Sequence, residues 1–288
     1  MYVSLDIGGT KLMVGAFNER RELVRRVRAS TPVALKEGIE CLKSMVGEVA
    51  EGEKIDAIGA SAGGPLCFET GVVSPLHMPA WRDVPLKAIF EQEFGAPFCV
   101  DVDTNAAALA EYTFGGQRVD RLLYVTVSTG VGGGLVVDGQ LYRGANGEHP
   151  EIGHQMIPYT LPVKGPVVCA CGGSDCLEAI VSGTAIAKHY RKPAEELSES
   201  EWREVGANLG RGLRNATVLY APSVIVLGGG VSVGGGDVFL EAARQEIVHH
   251  VHLVSHPTVI GSALGYDSAL WGGLAMAFLA RKRETVTG

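Results

Sequence analysis

One pattern occurs twice in this chain and limits what it can become. Residues 2–17, "YVSLDIGGTKLMVGAF", alternate as a strand, break at "GGT", and resume as a strand. Residues 121–141, "RLLYVTVSTGVGGGLVVDGQL", do the same around a second glycine-rich turn. Period-two alternation marks strands that bury one face, and the glycines permit the turn between them. In the first half a third polar–apolar run, Glu22–Arg28, predicts an antiparallel meander. Leu35, Ile39, Leu42, Met45, Val46 and Val49 then recur at helical spacing. Buried strands are expected at 55–61 and 98–103, with helices near Lys87–Phe94 and at 105–114. In the second half helices are expected near Trp202–Tyr220 and Val238–His250, strands at 223–230 and near Thr258–Ile260, and a last helix at Ser268–Arg281. Strands alternating with helices predict an α/β protein. The echo between the halves predicts a duplicated fold. A chain of 288 residues exceeds one ordinary core, so two lobes with a cleft between them are expected, 1–115 plus 271–288 and 116–270, with no low-complexity linker.

Charge and apolar runs narrow the function classes. A formal charge of −7 argues against nucleic acid as a partner, because phosphate backbones need a basic surface. No apolar run approaches the ~20 residues of a membrane span. "MYVSLDIGG" lacks the basic and apolar regions of a signal peptide, so a cytoplasmic protein is expected. Of six cysteines, Cys41, Cys67 and Cys99 are scattered among apolar neighbours and read as ordinary thiols. Cys169, Cys171 and Cys176 cluster in "CACGGSDC", and in a reducing compartment such a cluster points to metal before disulfide.

The glycine turns and one aspartate carry the chemistry. In "LDIGGTK" a strand ends near Asp6, and the turn can present backbone N–H groups to an anion, with Thr10 and Lys11 adding a hydroxyl and a positive charge. "VSTGVGGG" and "LGGGVS" offer two further turns. Any one alone is as well read as a hairpin. No Walker A pattern is present, and Gly8–Gly9 do not open a G-x-G-x-x-G helix. Three strand-end turns in one acidic chain are better explained by a nucleotide polyphosphate. Asp103 closes "FCVDVD" just ahead of a helix, so it is either an N-cap or a general base at a strand's C-terminal end. Phosphoryl transfer to an alcohol needs such a carboxylate, a clamped phosphate and a divalent cation.

In order along the chain stand "DIGGTK", "DVDTNAAALAE", "STGVGGG", "EIGH" followed by C-x-C-x4-C, "CLEAIVSG" and "IVLGGGVS". That set resembles the ROK family of sugar kinases and sugar-responsive repressors. The resemblance implies a duplicated ribonuclease H-like fold of the actin and hexokinase type, with ATP and Mg²⁺ as cofactors and a hexose as substrate. It implies that Asp103 takes the proton of the sugar's primary hydroxyl, and that Asp6 lies near the metal and phosphate. Gly8, Gly9, Thr10, Lys11, Thr129 and Gly130 would hold phosphates, and Gly228, Gly229 and Gly230 would border the adenosine. Glu151, His154 and Glu178 would bond sugar hydroxyls, and Asn105 would help shape that pocket. A homodimer is implied as well. His154, Cys169, Cys171 and Cys176 would bind structural zinc, and an N1S3 set suits a closed tetrahedral site. Their spacing, H-x14-C-x-C-x4-C, is not that of a zinc finger. His154 would then serve twice, one ring nitrogen on zinc and the other facing the sugar.

Departures from the family pattern bear on the sugar. Val102 stands where the glucokinases carry asparagine, and Leu76 and His77 follow Pro75 where a Pro-Asn pair is usual. Two sugar-facing amides are thus missing, which argues against glucose. "HPEIGH" with Pro150, "DVDTN", Ala80–Trp81, "APF" and "YTFGG" are similar to the bacterial fructokinase branch. Cys171 departs from that branch, which often has histidine there. Fructose is the expected substrate, with glucose, mannose or an amino sugar as alternatives. A repressor would carry a helix-turn-helix ahead of the kinase-like part, and here a strand begins at Tyr2. His249, His250, His252 and His256 read as surface groups, Glu111 as structural and Asp267 as a helix cap.

Overall fold

The computed structural model describes residues 1–163 and 165–287. The first elements are β1 (Tyr2–Ile7), β2 (Lys11–Phe17), β3 (Leu23–Ser30), α1 (Leu35–Ala50) and β4 (Ala57–Ala62). Three two-residue strands follow, β5 (Leu66–Cys67), β6 (Val72–Val73) and β7 (Val84–Pro85), then α2 (Leu86–Phe94), β8 (Phe98–Val102) and α3 (Asp103–Phe114). The next stretch holds β9 (Arg121–Val127), β10 (Val131–Val137), β11 (Gln140–Leu141), α4 (Glu178–Val181), α5 (Gly183–Tyr190) and α6 (Glu199–Tyr220). It continues with β12 (Val224–Gly228), α7 (Gly230–His250) and β13 (Thr258–Gly261), and the chain ends on α8 (Ser268–Thr287).

These elements divide into two compact units, Met1–Thr113 with Asp267–Gly288, and Phe114–Tyr266. The main sheet of the first has the order β3-β2-β1-β4-β8, and that of the second β11-β10-β9-β12-β13. In both, the first three strands in sequence pair antiparallel and the last two add in parallel. The same order and the same strand senses, twice, are the duplicated fold that the sequence echo predicts, in the ribonuclease H-like form that the family resemblance implies. A small sheet, β5-β6-β7, is inserted in the first unit.

Within the first unit the sheet's two faces are built differently. Leu5, Ile7, Ile58, Phe98 and Val100 pack with Leu42 and Val46 of α1 and Phe90 of α2. On the other face Ser4, Gly59 and Cys99 lie in register, and the α8 backbone comes close. The Ser4 hydroxyl donates to the Leu270 carbonyl at 2.6 Å. A Cβ on Gly59 would stand 2.0 Å from the Gly273 oxygen and 2.1 Å from the Ala277 nitrogen, so only glycine admits this approach.

Most predicted elements are present with shifted ends. Strand β8 stops at Val102, and Asp103 opens α3 rather than closing the strand. Helix α7 begins at Gly230, eight residues before the expected start, and is interrupted at Gly236 (φ 54°). The short β5, β6 and β7 and helices α4 and α5 were not anticipated.

Candidate active site

In the first unit, register gathers the acidic groups. Asp6 pairs with Ser61, and Ser61 with Asp101, so the three form a row across β1, β4 and β8 near the strands' C-terminal ends. Open α/β sheets present ligands at these ends. The Ser61 hydroxyl lies 3.5 Å from Asp6 Oδ1. Burial pushes the Asp6 carboxyl up to about 6; Lys11 opposes the shift, and the charge of Asp103 adds to it. Two carboxylates thus share one electric field beside the glycine turn.

The turn itself is pinned. Gly8 N–H donates to the Lys11 carbonyl (3.1 Å), and Thr31 N–H to that of Thr10 (3.2 Å). The Thr31 hydroxyl donates to the Gly8 carbonyl at 2.6 Å. Gly9, Thr10 and Lys11 are exposed. His77 closes on Gly9, where a Cβ would lie 3.3 Å from His77 Cβ.

Asp103 is exposed, in contrast to its neighbours Asp101, Thr104 and Asn105, which are buried. Asp103 Oδ1 accepts the Thr104 N–H at 2.8 Å, which orients the carboxylate at the helix start. Asp101 Oδ1 accepts the Val102 N–H at 2.8 Å and the Asn105 side-chain amide at 3.1 Å. Asn105 therefore shapes the wall through Asp101. Val102 is buried, and its Cγ1 would lie 3.3 Å from a Cβ on Gly64.

The second unit carries the other predicted residues. Ser128, Thr129 and Gly130 link β9 to β10, with Ser128 N–H donating to the Gly130 carbonyl at 2.8 Å. Glu178 Oε2 accepts the Val131 N–H at 2.9 Å. Gly228 and Gly229 are explained by packing: a Cβ on Gly228 would lie 2.1 Å from the Tyr124 hydroxyl, and on Gly229 2.3 Å from the Val127 carbonyl. Gly230 alone of the three has open space at that position.

His154, Cys169, Cys171 and Cys176 bring their ligand atoms within 4.8 Å of one another. Cys171 and Cys176 sulfurs are 3.7 Å apart, as are Cys169 Sγ and His154 Nδ1. Bonds of ~2.3 Å to a tetrahedral ion put neighbouring sulfurs ~3.8 Å apart, so the set fits zinc. Burial pushes the Cys176 thiol up to about 12, while a hydrogen bond from the Gly173 backbone pulls Cys171 down. A divalent cation would reverse the cost at Cys176. With Nδ1 turned to the sulfurs, His154 Nε2 lies 3.9 Å from Glu151 Oε2, and His149 Nε2 lies 3.5 Å from Glu151 Oε1. Glu151 is exposed at 59 %.

Structure thus assembles Asp6, the Gly8–Lys11 turn, Asp103 and Asn105 in one unit, and Thr129, Gly130 and Glu178, with the His154 cluster, in the other. Sequence reading missed Ser61, Thr31 and His77 as neighbours of the turn. Ser61 lies in the expected strand "IDAIGAS" and His77 stands out only as a departure after Pro75, but the partner of each depends on tertiary register.

The ROK family profile matches residues 2–281. The fructokinase of Zymomonas mobilis is 30% identical over 302 residues, covering 98% of each chain. A glucokinase of Streptomyces coelicolor is 29% identical over 278 residues, covering 84% of this chain and 86% of its own. The crystal structure of a ROK hexokinase from Thermus thermophilus superposes with a TM-score of 0.83 at 30% identity, covering 100% of this chain and 99% of that one.

The raised Asp6 gives a pH test. A carboxyl held protonated by the fold binds its proton more tightly folded than unfolded, so its contribution to stability is full below about pH 4 and is lost as pH rises through about 6. About two pH units correspond to roughly 3 kcal/mol. Asp6→Asn, without divalent cations, should therefore be more stable than the parent at pH 8 by roughly 2–3 kcal/mol, with the gain shrinking toward pH 4. Urea unfolding across this range checks it; a gain independent of pH would contradict the assignment.

Proposed function

The chain belongs to the ROK family, and from that premise we propose that it is an ATP- and Mg²⁺-dependent hexose kinase that converts D-fructose to fructose 6-phosphate. The observation that carries the reading is the placement of Asp6 and Asp103 in one field beside the Gly8–Lys11 turn. Asp103, exposed and oriented by the Thr104 N–H, takes the proton of the primary hydroxyl. The hydroxyl oxygen forms its bond to the γ-phosphorus as the bond to the β–γ bridging oxygen breaks, and ADP leaves. Gly8, Gly9, Thr10 and Lys11, with Thr129 and Gly130, hold the phosphates. Asp6 is suited to hold Mg²⁺, since its desolvated charge gains most from a cation. When bound, that ion neutralises phosphate charge. Gly228 to Gly230 border the adenosine, and Glu151, His154 and Glu178 bond the sugar.

Fructose is favoured by Val102, a buried apolar side chain, at the position where the family resemblance implies an asparagine amide that would bond a glucose hydroxyl. A buried apolar wall leaves such a hydroxyl unpaired and discriminates against it. Glucose is the second reading, because the glucokinase relative is nearly as similar as the fructokinase.

Two measurements check this. An ADP-release screen over fructose, glucose, mannose, N-acetylmannosamine and glucosamine should give fructose the highest kcat/KM. A higher value for glucose would overturn the use made of Val102, and no ADP release with any sugar would overturn the kinase. Zinc would fix the orientation of His154 through Nδ1. Metal analysis should find about one zinc per chain, with the three clustered thiols reacting with a thiol reagent only after chelation. Metal-free protein whose thiols react at once would remove zinc.

A further inference from the structure

The resemblance gives Glu178 a place at the sugar, yet its carboxylate accepts a hydrogen bond from the backbone at the β9–β10 turn. Glu178 opens α4 directly after Leu177, whose N–H donates to the Gln155 carbonyl at 2.9 Å. Its Oε2 accepts the N–H of Val131, the first residue of β10. The same oxygen would lie 2.7 Å from a Cβ on Gly130, so the carboxylate rests directly against the turn that precedes β10. Two further bonds reach the turn from the same segment. Gly183 N–H donates to the Ser128 carbonyl at 2.7 Å, and the Thr184 hydroxyl donates to the Thr129 carbonyl at 2.9 Å.

All three attachments act on the backbone of residues 128–131, and they come from one stretch, residues 178–184. A turn offered to phosphate must hold its N–H groups in fixed directions, because a misdirected donor loses most of its hydrogen bond. The two carbonyl contacts can only fix where Ser128 and Thr129 sit. Glu178 does more, since it takes one N–H out of competition and sets the direction in which the chain leaves the turn.

We propose that Glu178 is a positioning residue for the phosphate turn Ser128–Gly130, acting through its bond to the Val131 N–H and its contact with Gly130. This rests on the reading that the turn binds ATP phosphates, and it adds a nucleotide role to a residue otherwise given only to the sugar. The bond needs an acceptor at this reach and does not need a charge. Glutamine can supply that acceptor, whereas alanine cannot and aspartate is one methylene short.

The test is binding of a non-hydrolysable ATP analogue and of AMP, with Mg²⁺ and no sugar, by calorimetry. Glu178→Ala and Glu178→Asp should each weaken the analogue at least ~10-fold, with AMP changed less than ~3-fold, and Glu178→Gln should stay within ~3-fold of the parent for both. Should the alanine variant not fold, the aspartate variant reads the same way. Analogue affinity unchanged in the folded alanine or aspartate variant would overturn the proposal and leave Glu178 a sugar ligand. Equal losses for analogue and AMP would also overturn it, since the effect would not then be on the phosphates. Failure of the parent protein to prefer the analogue over AMP would instead sink the phosphate reading of the turn.

Discussion

A carboxylate withdrawn from water must find another answer to its charge, and Asp6 is in that position. It sits where β1 runs out, half-buried, and the field of Asp103 pushes its proton affinity further up. Lys11 and Ser61 relieve this only in part. In the proposed function a cation answers this strain between two carboxyls, and the anion that would bring it binds at the adjoining glycine turn. The rest of the first unit holds this arrangement in place. Backbone-to-backbone packing of α8 on Gly59 fixes β4, and β4 fixes the register between Asp6 and the strand that leads to Asp103.

The second unit repeats the sheet but solves a different problem. A glycine-rich turn cannot hold its own direction, so residues 128–131 are tied from outside by Glu178, Gly183 and Thr184. The cysteine–histidine cluster lies just upstream of Glu178 in sequence, and under the proposed zinc reading a bound ion would do for the loop around His154 what those bonds do for the turn. Asp175 works beside it, with Oδ1 accepting the Val167 N–H and the Tyr159 hydroxyl, each at 2.8 Å. The loop thus has polar anchors of its own besides the proposed metal ligands.

Much of this was legible in the sequence, for identifiable reasons. Helix α1 and the long strands declare themselves because each buries one face. The cluster of Cys169, Cys171 and Cys176 was legible because the three lie close along the chain, whereas His154, 15 residues before Cys169, was brought in only by the family resemblance. Where reading failed, tertiary contacts decide. "DVD" continues a strand's alternation, but the Asp103 carboxylate accepts the Thr104 N–H and starts a helix there. Glycines in "GGGVSVGGGD" conceal the start of α7. Helices α4 and α5 are too short to show a period; a Ser182 cap on the Ala185 N–H begins α5. The bond of Glu178 to Val131 spans 47 residues and leaves no local trace.

The central claim is that Asp103 is the base of a phosphoryl transfer to a sugar hydroxyl. The most direct measurement is turnover of Asp103→Asn set beside its sugar affinity. General-base removal should lower kcat by ~10²–10⁴-fold, with sugar affinity within ~3-fold of the parent, because the amide keeps the shape and loses only the proton acceptor. Near-normal turnover in that variant would contradict the account.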